Sequence, residues 1–209
     1  FGVWISMKRR YGLVLAGGGT KGAYEVGAWK ALKELDVEIT AIVGTSIGAI
    51  NGALFLQDDY NKILSLYDNI KFEDLVKMSE ENKMSEGNIF STENIIKFTK
   101  EFTKNKGLEN TPMRDLMEKY IDIDKVYNSK VEYGMVTTSI DVKNKSLEVF
   151  KEDIKKEELY EYILASACFP IFKPQKIGDK QYLDGGMHDN VPVNMLLNKG
   201  YSNIIVIDI

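Results

Sequence analysis

The 209-residue chain is 44% hydrophobic and 28% charged, and its 27 Lys and Arg against 31 Asp and Glu leave a net charge of −4. Those proportions suit one globular core and offer no basic stripe interleaved with aromatics, which excludes a nucleic-acid footprint. The single cysteine, Cys168, excludes a disulfide framework, and no apolar run approaches the ~20 residues needed to cross a bilayer.

Residues 1–6 are apolar but short, and Met7 followed by Lys8, Arg9 and Arg10 resembles a natural start, so 1–6 are set aside as an extension. Tyr11 to Ala16 reads as a short buried strand running into Gly17-Gly18-Gly19. Ala23 to Leu35 places Val26, Trp29, Leu32 and Leu35 at helical spacing. Ile39 to Val43 is a second buried strand. Ile47 to Leu56 is a helix whose Gly48, Ala49, Gly52 and Ala53 would let it lie close on a sheet. This alternation predicts an α/β chain with a mostly parallel sheet, helices on both faces and a right-handed crossover.

Residues 58–125 change character: Lys, Glu, Asn and Met dominate and strand patterns vanish. The stretch reads as a helical insertion, either a lid over a site or a peripheral layer. Ser91-Thr92 would open one helix through Ile95, Ile96 and Phe98. Thr111-Pro112 would open another, with an N-cap followed by proline in the first turn. Strand character returns from Lys130 to Thr138, and Leu147 to Phe150 would pair with it across Lys143-Asn144-Lys145. Glu157 to Ala167 is a helix. Lys176-Ile177 and Gln181-Tyr182-Leu183 form a hairpin across Gly178-Asp179 that delivers Asp184-Gly185-Gly186. Asn203 to Ile209 reads as a strand buried on both faces, so the C-terminus looks truncated. With no repeat or linker, residues 7–209 are one expected domain.

Gly44-Thr45-Ser46-Ile47-Gly48 falls between the second strand and a small-residue helix. A G-x-S-x-G in that context is a nucleophile elbow, which lifts a serine hydroxyl out of the sheet. Gly44 and Gly48 suit a turn too tight for side chains, and the following helix aims its partly positive N-terminus at a forming anion. The expected chemistry is acyl transfer to Ser46.

Gly17-Gly18-Gly19-Thr20-Lys21-Gly22 fits G-x-G-x-x-G at Gly17, Gly19 and Gly22, which admits a dinucleotide site. Such a site needs an acid at the end of the second strand. That strand ends in Val43-Gly44-Thr45-Ser46, and Asp36 and Glu38 lie before it. Lys21 followed by Gly22 also departs from a phosphate-binding P-loop. An oxyanion hole fits better, because consecutive glycines leave bare amides able to converge on one anion. Lys21 is either an anion contact or a solvated surface lysine.

A serine nucleophile needs a base. His188 is the one histidine, so a triad of Ser46, His188 and Asp184 stays open beside a Ser46–Asp184 dyad. A carboxylate of ordinary pKa ~3.9 is a weak base, yet it would serve in direct contact with Ser46 in a dry pocket. Asp184 also suits a plain turn before Gly185-Gly186. His188 sits in a polar run and reads as a loop residue. Cys168, in Ala165-Ser166-Ala167-Cys168-Phe169-Pro170 with no base nearby, reads as a buried structural thiol.

Gly17 to Gly22, Gly44 to Gly48 and Asp184-Gly185-Gly186 follow in the order found in patatin-like phospholipases, and the chain resembles that family from Tyr11 to Ile209. Ala165-Ser166-Ala167, Phe169-Pro170 and Asn190-Val191-Pro192 add to the likeness, and the insertion is the least alike. The resemblance implies a three-layer sandwich around a mostly parallel sheet and a Ser–Asp dyad. It further implies no metal or cofactor, and hydrolysis of lipid ester bonds. Carried onto this chain, it makes Ser46 the nucleophile, Asp184 the base and the Gly17, Gly18 and Gly19 amides the oxyanion hole. Lys21 departs from the arginine common at its position, which weakens a bidentate phosphate contact. The expected partner is a lipid or phospholipid ester met in transient contact with a membrane surface. A Lys-, Asn- and Ile-rich composition points to an AT-rich bacterial genome, with a cytoplasmic location as the accompanying expectation. The rivals are a catalytically silent lipid-binding or storage protein of the same fold and a nucleotide-binding protein.

Overall fold

The computed structural model describes residues 10–71, 74–83, 92–141 and 145–209. The first strand, β1 (Tyr11–Leu15), leads through a 3-10 turn at Gly19–Lys21 into α1 (Gly22–Glu34); β2 (Ile39–Thr45) and α2 (Ile47–Phe55) follow. Four helices come next: α3 (Tyr60–Asn69), α4 (Thr92–Asn105), α5 (Thr111–Tyr120) and α6 (Ile123–Asn128). The chain then forms the hairpin β3 (Glu132–Ser139) and β4 (Lys145–Phe150), α7 (Leu159–Ser166), the hairpin β5 (Gln175–Ile177) and β6 (Lys180–Asp184), α8 (Val193–Asn198) and β7 (Ile204–Ile207).

The sheet is parallel across β3, β2, β1 and β7, and turns antiparallel where β4 and β6 join β3. The register makes β3 the pivot. It pairs with β4 over Gly134–Ser139, with β2 over Glu132–Val136 and with β6 over Thr137–Ser139. A strand has two edges. Because β4 overlaps both other partners, β2 and β6 must share the opposite edge, one beyond the other. Thr45 closes the β2 ladder opposite Val136, and Asp184 closes the β6 ladder opposite Thr137. Two strands of opposite direction therefore end head to head on adjacent residues of β3.

Both faces of the sheet are covered, as a run without polar alternation requires. Leu13 and Leu15 of β1 point to one face and Val14 to the other, and all three are fully buried. The first face carries α1, α2, α3, α5, α6 and α7, with Trp29 stacked on Phe55 at 4.8 Å between centroids. The second face is closed by Met195 and Leu196 of α8 with Phe150. Within the 58–125 stretch, Ile63, Leu66, Met113, Met117, Tyr120 and Ile121 all belong to the first-face core. They pack as a helical layer. Val76 and Leu108 instead pack on Cys168 and Phe172.

Boundaries shift where tertiary contacts outrank local pattern. Strand β2 runs on through Gly44 and Thr45, because Leu15 and then Met135 and Val136 continue its ladders. Asn110 rather than Thr111 caps α5, with Pro112 in the first turn. The Lys143–Lys145 turn and the Ser91 helix start fall at least partly outside the described residues. The reading of the last strand as buried on both faces is corrected: β7 pairs only with β1 among the described residues, and Val206 is 43% exposed.

Candidate active site

Ser46 sits between the last residue of β2 and the first of α2, with φ +56° and ψ −122°. That backbone is rare for a residue with a Cβ and stores roughly 1–3 kcal/mol of strain, held by its surroundings. Two glycines show what holds it. A Cβ at Gly44 would stand 2.3 Å from the Gly48 carbonyl, and one at Gly48 would stand 2.4 Å from the Leu15 carbonyl. The doubled-back chain thus closes with no room for side chains on either flank. The Ser46 amide donates to the Ser166 hydroxyl at 3.0 Å, so the end of α7 braces the turn from a third side.

Asp184 arrives from the opposite direction. Its amide donates to the Cys168 carbonyl at 2.8 Å, and its own carbonyl accepts from the Thr138 hydroxyl at 3.0 Å. The carboxylate is 4% exposed and accepts from the Gly186 amide at 2.7 Å. The Ser46 hydroxyl lies close enough to the same carboxylate to lower its pKa. Burial holds the Asp184 carboxyl above the usual carboxylate range, and the nearby Ser46 hydroxyl and the Gly186 amide offset only part of that rise. Gly185 is required at this junction, since a Cβ there would lie 2.3 Å from the Val136 carbonyl.

The glycine loop is divided in its use of amides. The Gly17 amide donates to the Asn190 carbonyl at 3.1 Å, and the Asn190 side-chain amide donates back to the Gly17 carbonyl at 3.0 Å. Gly17 is therefore corrected from an anion donor to an anchoring residue: its one N–H is already spent. Its missing Cβ matters instead, because such an atom would sit 2.3 Å from Asn190 Oδ1 and 3.3 Å from the Ser46 Cβ. The Gly18 and Gly19 amides have no acceptor among the described residues, and Gly19 holds φ +59°, which glycine adopts freely.

Lys21 is exposed and lies beside Ala23, Tyr24, Asp208 and Ile209 around a cavity of about 400 Å³. His188 is exposed just beyond the Gly185–Met187 turn, and its ring makes no hydrogen bond among the described residues. Cys168 is fully buried, its thiol reaches the Lys173 carbonyl at 3.2 Å, and burial pushes its pKa up to about 12. It is an inert thiol at neutral pH.

Two residues of this arrangement, quoted in the sequence only as parts of family-like blocks, had no role assigned to them. Asn190 links the glycine loop to the aspartate loop, its Oδ1 lying 3.0 Å from where a Cβ on Gly186 would be. Ser166 is a fully buried hydroxyl at the end of α7, whose other buried residues, Leu159, Ile163, Leu164 and Ala165, are apolar, and a buried polar atom in such a place implies a partner.

The pattern of the family described as patatin-like phospholipase matches residues 13–197. Lysophospholipase NTE1 of Debaryomyces hansenii is 28% identical over 200 residues, which cover 95% of this chain and 12% of that protein. Patatin-like phospholipase domain-containing protein 7 of Rattus norvegicus is 25% identical over 94% of this chain and 13% of its own length. This chain thus spans about an eighth of the curated relatives it matches end to end. Among solved structures, VipD of Legionella pneumophila superposes with a TM-score of 0.59 at 16% identity, covering 89% of this chain and 47% of that one. That likeness concerns the fold.

Proposed function

Because the chain belongs to the patatin-like phospholipase family, we propose that it is a serine lipid acyl hydrolase working through Ser46 and Asp184. The observation that carries the reading is the nearness of the Ser46 hydroxyl, on its strained strand-to-helix turn, to a buried carboxylate that burial makes more basic than usual. Ser46 Oγ attacks the ester carbonyl carbon while Asp184 takes the hydroxyl proton. The carbonyl oxygen becomes an oxyanion facing the Gly18 and Gly19 amides. As the tetrahedral adduct collapses, Asp184 returns the proton to the departing alcohol, leaving an acyl ester on Ser46. Water then gives a proton to Asp184 and attacks that ester, which releases the fatty acid and restores the hydroxyl.

The relatives are named lysophospholipases, so a single-chain phospholipid is the first substrate to offer, met in transient contact with a lipid surface. Hydrolysis of such a lipid and of a short-chain chromogenic ester is expected from the intact chain. Ser46→Ala is expected to lower both by at least ~10³-fold, as loss of a nucleophile does elsewhere. His188→Ala is expected to turn over near the wild-type rate. Undiminished turnover by Ser46→Ala would refute the reading, and a deep loss in His188→Ala would return the triad.

A further inference from the structure

Behind the glycine loop lies a polar cluster that the proposed chemistry leaves unused. Glu25 of α1 and Asn51 of α2 are both fully buried. The Asn51 side-chain nitrogen donates to the Gly22 carbonyl at 3.0 Å and to Glu25 Oε2 at 2.7 Å, while its oxygen accepts from the Tyr67 hydroxyl of α3 at 2.7 Å. Both amide hydrogens are thereby committed. The other carboxyl oxygen, Glu25 Oε1, is buried and has no partner among the described residues.

The cluster touches the site through one residue. A Cβ at Gly22 would stand 2.3 Å from Ile47 Cγ1, 2.8 Å from the Tyr67 hydroxyl and 3.0 Å from the Asn51 nitrogen. Gly22 is thus pressed between the neighbour of Ser46 and the cluster. It also ends the turn whose Lys21 amide donates to the Gly18 carbonyl at 3.3 Å. Wherever Asn51 holds the Gly22 carbonyl, the turn presenting the Gly18 and Gly19 amides follows.

Stability alone does not account for an acid here, because an apolar side chain of like volume would avoid burying a carboxyl. Its geometric effect is to select one orientation of Asn51. With the amide reversed, the Asn51 oxygen would face both the Gly22 carbonyl and Glu25 Oε2, acceptor against acceptor.

We propose that Glu25 is a positioning residue for the Ser46 reaction, acting through Asn51 and Gly22 on the glycine loop. The inference rests on the hydrolase reading above. Burial raises the Glu25 pKa to about 8, so at neutral pH the neutral acid prevails and Oε2 serves as a carbonyl-like acceptor. Around it, α2 carries no titratable side chain and α3 turns Tyr67 toward it. Ionisation places an anion with no facing cation among the described residues between three helices, and the cluster must rearrange.

The test follows the rate at which a fluorophosphonate labels Ser46 between pH 5.5 and 9.5, with Ser46→Ala as the site control. Wild-type labelling is expected to fall on the alkaline side about a midpoint near the Glu25 value of about 8. Glu25→Gln keeps an acceptor for Asn51 and cannot ionise; it should label like wild type at pH 7 and lose the alkaline fall. Glu25→Leu removes the acceptor and should label about tenfold more slowly at every pH while still unfolding cooperatively, tenfold being the worth of one hydrogen bond. An alkaline fall that persists in Glu25→Gln, or a folded Glu25→Leu that labels like wild type, would overturn the proposal. If Glu25→Leu does not fold, the Glu25→Gln profile decides. A wild type that takes no label at Ser46 sinks the hydrolase reading itself.

Discussion

Asp184 is asked to be a base and to stay buried, and those demands conflict. Burial favours its neutral form, so its pKa in the fold lies above that in the unfolded chain. For an acid shifted upward, stability is fully present below the unfolded value and is lost as pH rises through the folded value. The carboxylate that would accept the Ser46 proton is the form that weakens the fold. Asp184→Asn keeps an oxygen for the Gly186 amide and removes the charge. It is expected to abolish hydrolysis and, at pH 7, to melt at a higher temperature than wild type, which paired rate and thermal-denaturation measurements would check. In wild type, kcat/KM should rise with pH through the titration of Asp184, an acid limb set above the ordinary carboxylate range. Gly17 shows where residue-level reading stops. Three consecutive glycines read as three donors, but one amide is consumed by Asn190, 173 positions away. No local pattern encodes that bond.

Elements were legible wherever local periodicity and tertiary need agreed. Strands β1 and β2, helices α1 and α2, and the β3–β4 and β5–β6 pairings all follow from apolar runs punctuated by glycine and polar turns. What stayed hidden is non-local: that β6 shares the β2 edge of β3, so that Asp184 ends opposite Thr137 and Ser46 follows Thr45 opposite Val136. Lys151 illustrates the same limit. The sequence presents a charged residue at the end of β4, yet its ammonium is 3% exposed and donates to the carbonyls of Val126, Ser129 and Val131. Three donors meet three acceptors, closing the end of α6 and the approach to β3. Lys151→Met fills similar volume and strands those carbonyls. It is expected to cost roughly 3 kcal/mol in urea denaturation. Because the clamp lies at the end of β3 away from Ser46, the Ser46 labelling rate of the folded fraction should be unchanged. A large change in that rate would mean that the two ends of β3 are coupled.

Across the whole molecule, the two halves of the candidate site stand on unequal supports. Ser46 follows β2, which lies between β1 and β3 under helices on both faces. Asp184 ends β6, which holds β3 through Thr137–Ser139 and, among the described residues, is otherwise paired only with the short strand β5. Local opening free energy follows burial and pairing, so β6 belongs to a less stable unit than β1 or β2. The contacts that cross the junction, the Ser46 hydroxyl near the Asp184 carboxylate and the Thr138 bond to the Asp184 carbonyl, are therefore the ones that set how often the pair is assembled. Hydrogen exchange would read this directly. Amides of β1 and β2 should exchange only on global unfolding, while those of β6 through Gly186 should exchange sooner. A covalent phosphonate on Ser46 removes the hydroxyl that faces Asp184 and fills the space before the glycine loop. If that contact steadies β6, the adduct should speed β6 exchange relative to the unlabelled chain while leaving β1 and β2 unaltered. Unchanged β6 exchange would place its stability in the β3 pairing and the Cys168 contact instead.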